Sequence, residues 1–326
     1  MEYANLGADR FRISRLGFGC GPASDYDYGP VDKTEWRAAV RAALEQGINF
    51  FDVADIYGFG QAEQMLSEAL GERRHEVVIG TKCGLVWDDS RKINRDLSSK
   101  GILRSLEGSL RRLRLDTIPL YQVHWPDPMT PIEESFETLA RCQEQGKIQC
   151  LGVSNFSLDL LRRAFSIHAF ESNQLSYNLL CREPEDDVFP WCQSSQVSIL
   201  AHSGLARGLL AGKRPLGVGF EFTDTRKNSL YFSDLGLSEK QKLLEVIRQL
   251  SHEKGRVFSS IAIRWVLDNA LVTSVLVGIK NRGQLQDNLE SMDWSLTTKE
   301  RELLSQFSDA CPAGLSGTPA HEPSQR

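Results

Sequence analysis

The sequence predicts an α/β fold, a (β/α)8 TIM barrel with an N-terminal β-hairpin. Three observations carry that expectation. Eight short apolar runs rich in β-branched and aromatic residues recur along the chain, helical patterns separate them, and polar residues gather at their C-terminal ends. Runs that are apolar on both faces and separated by helices read as parallel strands covered on both sides. Eight such units favour a closed barrel, with a doubly wound open sheet as the alternative.

The N-terminal YANLGADRFRI reads as a hairpin turning at Gly7–Asp9 and placed to plug the barrel floor. The strand runs are 14–20, 49–54, 77–82, 120–125, 150–155, 171–177, 198–203 and 274–279. Between them lie helical segments such as KTEWRAAVRAALEQG, where Trp36, Val40, Ala43 and Leu44 recur with helical spacing. Gly47 and Gly146 stand where helix-ending glycines belong. The one long gap, between 203 and 274, holds the loop GLARGLLAGKRPLGVGF and two further helical patterns. From residue 309 the chain becomes Pro-, Gly- and Ser-rich and reads as a disordered tail, which leaves residues 1–308 as a single barrel domain.

With 41% hydrophobic and 25% charged residues, the composition is that of a globular protein. A formal charge of −5 gives no electrostatic reason to expect nucleic acid or an anionic membrane as partner. No apolar stretch approaches the roughly 20 residues that span a bilayer. The N-terminus lacks a basic region followed by an apolar core, so no signal peptide is expected. Seven scattered cysteines with no C-x-x-C pair read as free thiols of a reducing, cytoplasmic compartment.

The strand ends carry Asp52 with Tyr57, Lys82, His124, Ser154 with Asn155, Gln174, and His202 with Ser203. In a parallel barrel these ends share one face, where active sites are built. Asp52, Tyr57, Lys82 and His124 make chemical sense together. A tyrosine with a pKa near 10 is a poor acid–base group at neutral pH. A neighbouring ammonium stabilises the phenolate, a carboxylate holds the ammonium, and a histidine can orient a carbonyl oxygen. Such a set protonates an alkoxide as it forms, which carbonyl reduction requires.

FDVADIYGFGQAE, VVIGTKCG, LYQVHWPDP, CLGVSNF, LAHSGLARGLLAGK and VLVGIKNRGQLQDNL resemble the successive motifs of the aldo-keto reductase superfamily, in order, from about residue 3 to 308. The resemblance implies a nicotinamide cofactor, NADP(H), extended across the barrel mouth, and an Asp52–Tyr57–Lys82–His124 tetrad acting on a small-molecule carbonyl substrate. It also implies that Ser154, Asn155 and Gln174 hold the carboxamide and that the loop Ser203–Gly212, with Leu205 and Gly208, wraps the pyrophosphate. Gly278, Lys280 and Arg282 belong to the eighth-strand motif, whose two cations would face a 2′-phosphate, while Gln284 and Asn288 would approach the adenine. The alternative function is a cofactor-binding regulatory subunit with little catalytic activity; a Schiff-base aldolase using Lys82 is a third.

Three positions depart from the family pattern: Val53 for a threonine, His202 for the aromatic that stacks on the nicotinamide, and Gly204 for a proline. Asp55 reads as a solvated loop or capping acid, since the tetrad needs one carboxylate. Cys83 reads as a packing residue, and the arginines of 104–115 as an exposed helix face. No His/Cys cluster supports a metal site. Tyr28, Phe59, Trp87 and Trp125 follow strand ends and are candidates for the substrate pocket, with about half of them expected in ordinary packing.

Overall fold

The computed structural model describes residues 1–7, 9–24, 28–213, 216, 220 and 224–315. Strands β1 (Tyr3–Leu6) and β2 (Phe11–Ser14) pair antiparallel, with Leu6 opposite Phe11. The chain then runs β3 (Leu16–Gly19), α1 (Lys33–Glu45), β4 (Phe50–Asp52), α2 (Gln61–Leu70) and β5 (Val78–Cys83). A short hairpin, β6 (Leu85–Trp87) with β7 (Ile93–Arg95), precedes α3 (Ser99–Leu113). There follow β8 (Ile118–Val123), α4 (Ile132–Glu144), β9 (Ile148–Ser154), α5 (Leu158–Ile167), β10 (Ser172–Ser176), α6 (Val188–Ser194) and β11 (Ser198–His202). The chain ends with α7 (Leu237–Lys254), α8 (Phe258–Leu267), β12 (Val272–Gly278), α9 (Arg282–Leu289) and α10 (Thr298–Asp309).

Eight parallel strands close into a barrel in the order β10-β11-β12-β3-β4-β5-β8-β9. Each coincides with one of the apolar runs, so the eight-unit expectation and the N-terminal hairpin both hold. Leu6 and Ile13 of the hairpin are fully buried against Phe50, Leu120, Leu200 and Leu276 at the barrel floor. Each such side chain stabilises the fold by about 1.5–3 kcal/mol. A second layer, between strands and helices, is filled by residues such as Trp36, Phe51, Phe136 and Trp265.

The seam between β12 and β3 joins the two ends of the chain. Val275 N–H donates to Arg15 O (2.8 Å) and Ser274 Oγ to Ser14 O (2.9 Å). Arg15 Nη2 donates to Leu267 O (2.6 Å) and Val272 O (3.0 Å).

Two elements were not anticipated. The β6–β7 strands are only three residues long and half-exposed, too short for an alternating pattern to register. Helix α10 opens on a reciprocal capping box between Thr297 and Glu300, a T-x-x-E signal that sequence reading could have used. Within the stretch that follows α10, one described residue is buried. Leu315 is fully buried and Gly314 N–H donates to Glu183 Oε1 (2.6 Å), because an apolar side chain there meets the barrel's outer layer. Residues 316–326 lie outside the described residues. No described helix is long and apolar enough to cross a membrane.

Candidate active site

Asp52 closes β4 and is almost fully buried, as is Lys82 two positions beyond its β5 neighbour. Lys82 Nζ donates to Asp52 Oδ2 (2.7 Å) and to Val53 O (3.0 Å). The other carboxylate oxygen accepts from Gln174 Nε2 of β10 (2.8 Å) and Gln122 Nε2 of β8 (3.4 Å), and the two amides are themselves joined (3.3 Å). A buried ion pair is tolerable when its remaining lone pairs are satisfied in this way. Sequence reasoning missed Gln122, although an amide inside the apolar run LYQVHW was its signal. Gln174 lines the cavity as expected, but its amide nitrogen is spent on Asp52 and Gln122.

Tyr57 projects from the turn that follows β4, where its own N–H donates to Ala54 O (3.1 Å). Lys82 Nζ lies 5.3 Å from the centre of the Tyr57 ring. The His124 ring meets Tyr57 edge-on, with centroids 5.9 Å apart. All four expected tetrad residues therefore converge. The next residues of the loop require glycine. Gly58 and Gly60 have φ of +59° and +91°, and a Cβ would come within 2.6 Å of Ser24 Cβ and 2.8 Å of Arg112 Cδ respectively.

A cavity of about 590 Å³ opens over this cluster. It is lined by Tyr57, His124 and Trp125 and by Tyr28, whose ring also meets Arg207 and Arg226. The same cavity is lined by Ser154, Asn155, Gln174, His202, Ser203, Leu205, Gly208, Gly278, Lys280, Gln284 and Asn288. Phe59 and Trp87 instead meet edge-to-face (5.7 Å), outside the cavity lining. Asn155 Nδ2 donates to His124 O (3.0 Å) and Ser154 Oγ (2.9 Å), linking the ends of β8 and β9. His202 contacts Ser203 Oγ (3.0 Å) and Asn155 Oδ1 (3.4 Å). Burial, reinforced by Lys82 and Arg207, pushes its pKa down to about 3, so the ring is neutral.

The loop after β11 is irregular: Ser203, Ala206, Arg207, Gly208 and Gly212 all have positive φ. Within this loop the Ala206 N–H donates to Ser203 O (2.7 Å) and the Gly208 N–H to Leu205 O (2.8 Å). Arg207, Lys213, Arg226 and Lys280 also line the cavity. A flat neutral ring, amides and four cations lining one cavity fit a nicotinamide dinucleotide.

The two eighth-strand cations are not equivalent. Lys280 lines the cavity, and its ammonium donates to the carbonyls of Tyr28 (2.6 Å), Pro30 (3.1 Å) and Gly29 (3.4 Å). Arg282 is exposed, stands outside the cavity lining and pairs with Glu35 of α1 (2.9 Å). As the first residue of α9 it reaches the neighbouring helix, which offers it a carboxylate.

Asp55 corrects its expectation, being 2% exposed. It faces away from the cavity, under α3, where the Ser105 hydroxyl donates to its Oδ2. Glu63 of α2 is fully buried beside it, bonded to Arg112 Nε (2.6 Å) and Thr81 Oγ1 (2.7 Å). Arg112 is thus drawn inward rather than standing on a solvated face. Burial and the Glu63 charge push the Asp55 pKa up to about 7. Cys83, also buried, has its thiol pushed up by desolvation, which fits packing rather than reactivity. Among the described residues no cluster of three or more ligating side chains could hold a metal.

The chain belongs to the aldo/keto reductase family, whose pattern matches residues 15–309. It is an oxidoreductase of that family, which works with nicotinamide cofactors. It is 33% identical over 305 residues to aldo-keto reductase YhdN of Bacillus subtilis (strain 168), covering 93% of this chain and 92% of that protein. The NADH-specific methylglyoxal reductase of Escherichia coli (strain K12) is 27% identical, with 95% and 99% covered. Among solved structures, the glycerol dehydrogenase AKR11B4 from Gluconobacter oxydans superposes with a TM-score of 0.86 at 32% identity, covering 94% of each chain. The holo form of aldo-keto reductase AKR11C1 from Bacillus halodurans gives 0.80 at 28%, covering 99% of this chain and all of that one.

Proposed function

We propose that the protein is an NADPH-dependent reductase of aldehydes or ketones in which Tyr57 is the general acid. The observation that carries this reading is the buried Asp52–Lys82 pair beneath Tyr57, with His124 against the same ring. When bound, a nicotinamide supplies the hydride that attacks the carbonyl carbon. Tyr57 delivers its phenolic proton to the carbonyl oxygen, and His124 orients that oxygen by hydrogen bonding. Lys82 favours the phenolate left behind, and Asp52, held by Gln122 and Gln174, keeps the ammonium in place. The Lys82 ammonium is enclosed and doubly hydrogen-bonded, which suits this supporting part better than nucleophilic attack.

Tyr57→Phe should lower kcat on the order of 10²–10⁴-fold with NADPH affinity almost unchanged. Near-normal turnover would remove the mechanism. Two relatives carry names built on three-carbon compounds, so methylglyoxal and dihydroxyacetone belong in the first substrate panel.

Preference for NADPH rests on the cavity cations, Lys280 foremost. One charge-assisted contact contributes roughly 1.5–3 kcal/mol. Lys280→Ala should therefore weaken NADPH relative to NADH on the order of 10- to 100-fold. The ratio matters, because releasing the Tyr28–Pro30 carbonyls affects both cofactors alike. Equal binding of the two cofactors by the unmutated protein would refute the preference and leave the tetrad argument intact.

A further inference from the structure

Asp55 is a buried acid that the proposed chemistry does not use. It is the second residue of the turn Ala54–Tyr57, closed by the Tyr57 N–H, and so sits in the segment that aims the phenol. That turn is tied to α3 by the hydrogen bond from Ser105 to Asp55. The groups around the carboxyl come from every adjoining element. Glu63 faces it from α2, Ser105 and Arg112 from α3, Cys83 from β5 and, through Cys83 and Ser105, Tyr121 from β8. The one cation among them, Arg112, is already bound to Glu63. Asp55 Oδ1 has no hydrogen-bond partner. A carboxylate with an unpartnered oxygen, in a dry pocket beside a second carboxylate, is costly; the neutral acid is not.

We propose that Asp55 is a positioning residue for Tyr57: as a neutral acid it seats the Ala54–Tyr57 turn against α2 and α3, and its ionisation sets it against the buried Glu63 carboxylate, which pushes that turn out of place. The inference rests on Tyr57 being the proton donor. Desolvation and Glu63 hold the acid protonated up to about pH 7, while Ser105, Arg112 and the Ile56 N–H pull in the opposite direction. Activity carried by a correctly aimed Tyr57 therefore falls as pH rises through that value. Misplacing a reacting group by as little as an ångström can cost about 10²-fold.

The test compares the unmutated protein with Asp55→Asn, a neutral isostere, and Asp55→Ala. With saturating NADPH and a carbonyl found in the panel, kcat of the unmutated protein should fall across an inflection near pH 7. Asp55→Asn should lose that inflection and keep kcat at pH 6 within about fivefold, whereas Asp55→Ala should lose about tenfold or more at every pH. Persistence of the inflection in Asp55→Asn, or equal behaviour of the Asn and Ala variants, overturns the proposal. Thermal unfolding gives a readout that needs no turnover: from pH 5 to pH 8 the melting temperature of Asp55→Asn should rise relative to the unmutated protein. A constant difference shows that Asp55 is not held neutral and overturns the proposal even if no carbonyl is reduced. Tyr57→Phe in the same assay separates the two claims. If it retains full activity the reductase mechanism fails, and with it the positioning of a proton donor, while the melting data still decide the state of Asp55.

Discussion

Asp52 and Asp55 are three residues apart, both buried, and in opposite electrostatic situations. Asp52 faces the barrel interior, where a lysine from the next strand and two amides meet its oxygens. Asp55 faces the helical layer, where its nearest charged neighbour is another carboxylate whose arginine is already taken. The first pocket holds a charge and the second excludes one. Burial alone therefore says little about a carboxyl group; what its oxygens meet decides its state.

The largest effect expected from this contrast is Lys82→Met. Removing one member of a buried pair leaves Asp52 uncompensated, which should cost about 3–5 kcal/mol of stability, measurable by denaturant unfolding, along with turnover. A loss below 1 kcal/mol would mean that the two amides alone carry the charge.

Next comes the pH dependence of stability at Asp55. The folded protein holds this proton more tightly than the unfolded chain, whose aspartates titrate near 3.8. Stability is thus lost as pH rises from about 4 to about 7 and is flat above. The displacement from 3.8 to about 7 corresponds to about 4 kcal/mol at the plateau. Asp55→Asn should be free of that term, so unfolding free energies of the two proteins should diverge in its favour over this window.

The smallest effect belongs to Ser105→Ala. Losing one hydrogen bond to a neutral partner costs about 0.5–1.5 kcal/mol. Because the Ser105 hydroxyl draws the Asp55 pKa down, the variant's kcat inflection should also move to higher pH. A move to lower pH would reverse the assigned direction of that hydrogen bond's influence.

Much of the barrel was legible because its signals are local. Each strand is a compact apolar run, and topology then brings Asp52, Lys82 and His124 to one mouth without further information. What escaped reading depended on neighbours distant in sequence. Nothing near Arg282 indicates that α1 will present Glu35 to it. Nothing near Asp55 indicates that α3 will cover it with Ser105 and turn Arg112 inward to Glu63. Gln174 reaches the cavity as the resemblance implies, but that its amide also joins the hydrogen bonds around Asp52 depends on barrel closure.

That closure has a consequence for how the chain is made. The β12–β3 seam is built from backbone and side-chain bonds between residues 14–15 and residues 267–275. During synthesis β3 emerges early and has no partner on that side until β12 has left the ribosome. Until then β3 and β11 are open sheet edges, the kind of surface that pairs with other chains. Fragments ending before Val272 should accordingly associate or bind chaperones, and the chain extended through Gly278 should not, which a truncation series sized by gel filtration would reveal.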